Sequence, residues 1–166
     1  MLSGLRPEYS RHSKRLILGT FPSRTSLEKK EYYGNPRNQF WKIIEAIFNI
    51  ECVLAYDERI RQMTEAGLAL WDVIGSCNRS GSSDKAITDA TPNDIKSFLR
   101  SNTTIEKVYF NGHNGKRYMR KLDPESLAQS RYGFEVLPSS SPQNTRYTLN
   151  EKIEKWMVLG KGLVTL

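Results

Sequence analysis

Short apolar runs alternate along this chain with longer stretches in which apolar residues recur every three or four positions. Leu16-Ile17-Leu18 is continuous and short, which predicts a buried strand over Arg15 to Thr20. Phe40, Ile43, Ile44, Ile47 and Phe48 form a helical stripe, predicting a helix from Asn38 to Phe48. Asp57 to Ala66 reads as a second helix ended by Gly67, and Leu68 to Ile74 as a second strand buried on both faces. Thr91-Pro92-Asn93-Asp94 has a capping threonine, a first-turn proline and an acid three residues on, so a helix is expected to run from there to Arg100. Val108-Tyr109-Phe110 marks a third strand, with a helix over Lys116 to Leu122 after it. Phe134 to Leu137 gives the fourth strand and Leu149 to Leu159 the last helix.

This βαβα order predicts a parallel sheet covered by helices on both faces. No linker is long or biased enough to divide the chain, and 166 residues suit a single domain spanning 1–166. The polar punctuation falls just after the strands, at Gly19–Ser23, Asp72–Ser76, Asn111–Gly112 and Pro138–Asn144. Four loops therefore converge beyond the carboxyl ends of the strands, where open α/β sheets bind ligands.

Charge sharpens the picture. The formal balance is +7, with lysines and arginines clustered at Arg11–Arg15, Arg24–Lys30 and Lys116–Lys121, which suits a polyanionic partner. No apolar run reaches membrane length, and the basic N-terminal stretch lacks the apolar core of a signal peptide, so a cytoplasmic, nucleoid-associated setting is expected. Two cysteines, Cys52 and Cys77, and two histidines, His12 and His113, offer no metal-ligand spacing. Neither the Gly19 nor the Gly112 turn has phosphate-loop spacing. No metal and no cofactor are expected.

Gly19-Thr20-Phe21-Pro22-Ser23 is followed by Tyr32-Tyr33-Gly34-Asn35-Pro36-Arg37-Asn38-Gln39-Phe40-Trp41. This pair of segments resembles the uracil-DNA glycosylase superfamily, nearest its hypoxanthine-DNA (deoxyinosine) glycosylase branch. Further matching segments follow in order: Gly67–Ile74, Gly81–Ile87, Pro92–Ile95, Phe110–Gly112 and Leu137–Asn144. The resemblance runs from about residue 16 to about residue 147. It implies a three-layer αβα sandwich around a four-stranded parallel sheet.

Excising a base means holding a flipped nucleotide and stabilising a sugar with oxocarbenium character and a base that gains negative charge. Amides suit this because each offers a donor and an acceptor; Asn35, Asn38, Asn111 and Asn144 are available. In related branches an Asp or Asn that handles the water stands immediately before the proline of the first motif. Here that position is Phe21. In the hypoxanthine branch the catalytic asparagine maps instead onto Asn38, which would orient and polarise water through its carbonyl oxygen. The plain alternative makes Asn38 a helix N-cap.

Asp72 stands where the superfamily commonly places a base-contacting amide, although a loop cap would explain it equally. Asn111 is a second candidate for the base edge, or an ordinary Asn-Gly turn. Phe21, fixed against Pro22, and Tyr33 are the aromatic candidates for the base, Phe21 being favoured for stacking. The Leu137–Asn144 segment resembles the superfamily's second, DNA-entering loop. Its Ser139, Ser140, Ser141, Gln143 and Asn144, with Ser23, are the expected DNA contacts, and Gln143 stands where relatives use an apolar wedge.

The expectation is a monofunctional DNA glycosylase of base-excision repair. It would act as a monomer on DNA containing a deaminated base, hypoxanthine first and uracil second, and leave an abasic site. The main competing reading is a catalytically inactive nucleic-acid-binding module of the same fold. A hydrolase acting on free nucleosides is a third.

Overall fold

The computed structural model describes residues 1–163. Four strands pair in parallel in the order β3–β2–β6–β7: β2 (Arg15–Gly19), β3 (Leu68–Asp72), β6 (Lys107–Asn111) and β7 (Glu135–Leu137). Three further strands, β1 (Leu2–Ser3), β4 (Ile74–Asn78) and β5 (Thr88–Pro92), form a separate antiparallel sheet in the order β1–β4–β5. The helices are α1 (Arg24–Lys29), α2 (Phe40–Phe48), α3 (Tyr56–Glu65), α4 (Ile95–Ser101), α5 (His113–Leu122), α6 (Pro124–Leu127) and α7 (Leu149–Trp156).

Side chains alternate across a strand, so the apolar run of β2 feeds two cores. Ile17 points into one, with Phe40, Ile43 and Ile44 of α2, Met63 of α3 and Trp156 of α7. Leu16 and Leu18 point into the other, with Ile95, Phe98 and Leu99 of α4 and Met119 of α5. All three β2 residues are fully buried, each burial worth about 1.5–3 kcal/mol. The expected αβα sandwich is therefore what the chain forms. Among the described residues no helix is long and apolar enough to cross a membrane.

Two expectations fail between residues 68 and 94. The second strand ends at Asp72 rather than Ile74; Val73 bonds through its N–H to the Gly19 carbonyl, and the chain turns into β4. Thr91 and Pro92 do not start a helix but close β5, where Ser76 faces Thr91 and Ile74 faces Pro92. The true cap is Asp94, whose carboxylate accepts from the Ser97 N–H at 3.0 Å. Elsewhere α2 starts at Phe40 rather than Asn38, α5 starts at His113 rather than Lys116, and α1 was not expected.

Candidate active site

A cleft of about 430 Å³ opens beyond the carboxyl ends of β2, β3 and β6, within the ~300–1,000 Å³ usual for small-molecule sites. Residues from Gly19–Ser23, Tyr33, Asn35, Asn38, Asp72, Asn111 and the Ser139–Asn144 loop line it. The structure thus brings together every residue singled out from the sequence. A segment given no role there, Ser82-Ser83-Asp84-Lys85, completes the wall. Its polarity is that of any exposed hairpin loop. Only the pairing of β4 with β5 swings it over the cleft.

At the centre three side chains form one directed chain of hydrogen bonds. Asn111 Oδ1 accepts from the Ser140 backbone N–H at 2.9 Å, which fixes its amide and turns Nδ2 toward Ser140 Oγ at 2.8 Å. The Ser140 hydroxyl must then donate onward, to Asn38 Oδ1 at 2.8 Å. That same oxygen also accepts from the Phe40 N–H at 2.9 Å. A peptide N–H can only donate, so neither amide can be turned round. Both lone pairs of Asn38 Oδ1 are consequently occupied. Asn38 lines the cleft with this oxygen already bonded twice, so the end left without a partner among the described residues is its amino group, not the carbonyl oxygen expected to hold water.

Ser140 is fully buried by this network, so the phosphate contact expected of it is not available. The other loop residues mostly hold the loop itself. Ser139 Oγ accepts from the Ser141 N–H, Ser141 Oγ accepts from the Gln143 N–H, and Asn144 donates to the Ser139 carbonyl. Gln143 stays exposed at the tip. Ser23 caps α1 by accepting from the Ser26 N–H at 3.1 Å.

Phe21 borders the cleft, but its ring is 7% exposed and packs with Ile74, Cys77 and Ile87, under the Arg79 guanidinium at 5.0 Å. Arg79 also donates to the Pro22 carbonyl at 2.6 Å. The ring is thereby drawn into the second sheet's small core, with the Arg79 cation over it. Tyr33 has the opposite character. It holds a left-handed backbone, φ 54°, which few aromatic residues adopt, and stacks on Phe40 with centroids 4.0 Å apart. Burial, then the nearby Asp72 carboxyl, push its phenol well above the usual range, while a hydrogen bond with Asn111 opposes them.

Asp72 is 5% exposed, and its Oδ2 is buried with no partner among the described residues. Burial pushes its carboxyl up to about 7, the Asp84 charge adds to this, and Arg79 offsets part. The strand end is tethered by Asn93, which donates to the Asp72 carbonyl at 2.8 Å. Gly19 lies against the carboxyl so closely that a β-carbon there would overlap Oδ1. The first-motif glycine is thus required by the acid on the neighbouring strand.

A second cleft, about 290 Å³, shares Ser139 and Asn144 with the first. His113, Arg146, Tyr147 and Lys155 line it, with the Arg146 and Lys155 cations 5.4 and 5.1 Å from the Tyr147 ring centre. Neither cation pairs with a carboxylate among the described residues. Both carboxyls, Asp72 and Asp84, line the first cleft beside Lys85, whereas the second holds cations and, among the described residues, no carboxyl.

Residues 6–159 match the Uracil DNA glycosylase superfamily. The chain is 35% identical over 141 residues to the hypoxanthine DNA glycosylase of Methanosarcina acetivorans, covering 84% of this chain and 85% of that protein. It is 29% identical over 150 residues to the hypoxanthine DNA glycosylase of Methanosarcina barkeri, covering 90% and 92%. Its fold superposes on the solution structure of a candidate uracil DNA glycosylase from Methanosarcina acetivorans with a TM-score of 0.80, at 30% identity and 97% coverage of both chains. With the strand-end cleft, the amide network and these likenesses agreeing over nearly the whole length, the chain belongs to the uracil DNA glycosylase superfamily.

Proposed function

We propose that this protein is a monofunctional DNA glycosylase that flips a deaminated base, hypoxanthine above all, into the cleft and hydrolyses its glycosidic bond, leaving an abasic site. One observation carries the reading: the Asn111–Ser140–Asn38 chain ends in an amino group fixed at the cleft before any substrate arrives. A departing base gains negative charge, and a preorganised donor stabilises it without reorganising. Asn38 is the catalytic donor. The C–N bond breaks largely dissociatively, and water then completes hydrolysis at the sugar.

The remaining residues divide the work of recognition. Donors facing the six-carbonyl of hypoxanthine accept it and reject the amino group of adenine, because two opposed donors leave each other unpaired at about 1–3 kcal/mol. Asn38 and Asn111 supply those amide donors, while Asp72 accepts from the base's ring N–H and Tyr33 packs against the base. Gln143 and Ser141 meet the strand from the loop. The cationic second cleft lies next to this loop, on a path that phosphates flanking the excised nucleotide would follow. The enzyme works as a single-domain monomer on chromosomal DNA in the cytoplasm.

Base release from duplexes carrying one deoxyinosine or one deoxyuridine, with EDTA present, tests this. Release of hypoxanthine by the wild type and not by Asn38→Ala is the expected result. Release from neither duplex, alongside tight binding, would overturn it in favour of a binding module.

A further inference from the structure

Lys152 is 1% exposed in the middle of α7, and no carboxylate pairs with it among the described residues. Its ammonium donates to Gln39 Oε1 at 2.8 Å and lies 3.3 Å from the Ser141 carbonyl. Gln39 follows Asn38 in the chain, and Ser141 follows Ser140. The ammonium therefore bridges the neighbour of the catalytic amide to the neighbour of the hydroxyl that orients it. A second link crosses the same junction, from the Gln39 N–H to the Ser140 carbonyl at 3.0 Å. One turn further along α7, Trp156 donates to the Pro138 carbonyl at 2.8 Å, so the loop is anchored there independently.

An unpaired buried ammonium opposes folding, because desolvation disfavours its charged form. Burial accordingly lowers the proton affinity of Lys152. An apolar side chain of equal length avoids that cost but leaves Gln39 Oε1 and the Ser141 carbonyl without this donor. A lysine at such a position points to a task beyond stability.

We infer that Lys152 is a positioning residue for base excision, setting the Asn38–Ser140 hydrogen bond from beneath by holding Gln39 and Ser141 in register. This rests on the glycosylase reading above. Its ammonium is not placed at the substrate; it acts through the two residues it grips.

The test is single-turnover release of hypoxanthine at saturating enzyme, with DNA affinity and melting temperature measured on the same preparations. Lys152→Met is expected to slow release about ten- to a hundredfold, with affinity within about threefold and melting temperature unchanged or raised. Lys152→Gln, which keeps a donor, recovers part of the rate and carries the same test if the methionine variant fails to fold. Combined with Ser140→Ala, the two losses should fall short of multiplying, since both act on one hydrogen bond. Unchanged rates, losses that multiply, or a rate that falls only together with affinity and melting temperature would each overturn the inference. A wild type that releases no base would instead reject the glycosylase reading itself.

Discussion

The hydroxyl of Ser140 donates to Oδ1 of Asn38 at 2.8 Å across 102 positions of sequence. Because the Phe40 N–H donates to the same oxygen, this contact settles which end of the Asn38 amide meets a ligand. In the role proposed for it Asn38 is then a donor, and its replacement can be chosen to separate donor from acceptor roles.

Asn38→Ala and Asn38→Asp should both lose about 10²–10³ in the rate of hypoxanthine release, the usual effect of removing one preorganised donor. The aspartate can still accept from Phe40 and Ser140, but its free oxygen cannot donate. Single-turnover assays on both variants check this. An aspartate variant as fast as wild type would show that the position works as an acceptor, holding water.

Ser140→Ala should lower stability by about 1–3 kcal/mol, because Asn111 Nδ2 and Asn38 Oδ1 each lose a buried partner. It should also slow release about tenfold as the Asn38 amide loses one of its two constraints. Urea unfolding and single-turnover kinetics measure the two effects. Full activity would mean that the Phe40 N–H alone holds the amide.

The Asp72 carboxyl titrates near 7 in the folded chain, against 3.8 for a free aspartate. Between those values the folded state binds the proton more tightly, so this group's contribution to stability declines as pH rises through the window and stays unfavourable above it. Asp72→Asn should therefore stabilise the protein at pH 8, by on the order of 2 kcal/mol, and less at pH 5. It should also remove an inflection near pH 7 from the rate profile. Equal gains at both pH values would contradict the raised affinity for the proton.

Arg146→Ala combined with Lys155→Ala should reduce the steepness of DNA affinity against log salt by about one to two. Undamaged and inosine-containing duplexes should be affected alike, since phosphates carry no base identity. An unchanged slope in fluorescence-anisotropy titrations would remove the second cleft from the DNA path.

Much of this was legible in the chain. The apolar runs at Leu16–Leu18, Val108–Phe110 and Phe134–Leu137 marked strands, and the polar residues after them marked the cleft. The second sheet was not. Asp72, Val73 and Ile74 are all buried, so nothing in the apolar pattern signals that the chain leaves one sheet for another at Val73. Thr91 and Asp94 are both good caps by type, and it is pairing with Ser76 that commits Thr91 to a strand.

At the site, which residues line the cleft was readable and their orientations were not. Phe21 and Ser140 sit in the right segments, but whether a ring faces the cleft or a neighbouring core depends on partners such as Ile74 and Arg79, far along the chain. The end of Asn38 that faces outward is likewise set by the distant Ser140. Lys152 gave no signal at all, since a lysine on an amphipathic helix ordinarily faces solvent.

Each amide is oriented in part by a peptide N–H, that of Phe40 for Asn38 and that of Ser140 for Asn111, with the Ser140 hydroxyl bonded to both. An amide free to rotate could meet either a lactam or an amidine edge and would tolerate both. Here that symmetry is broken largely by the main chain, whose N–H groups survive every substitution except one to proline. Turning the amides over is thus closed to most single substitutions, and a new base preference is expected to require replacing the amides themselves.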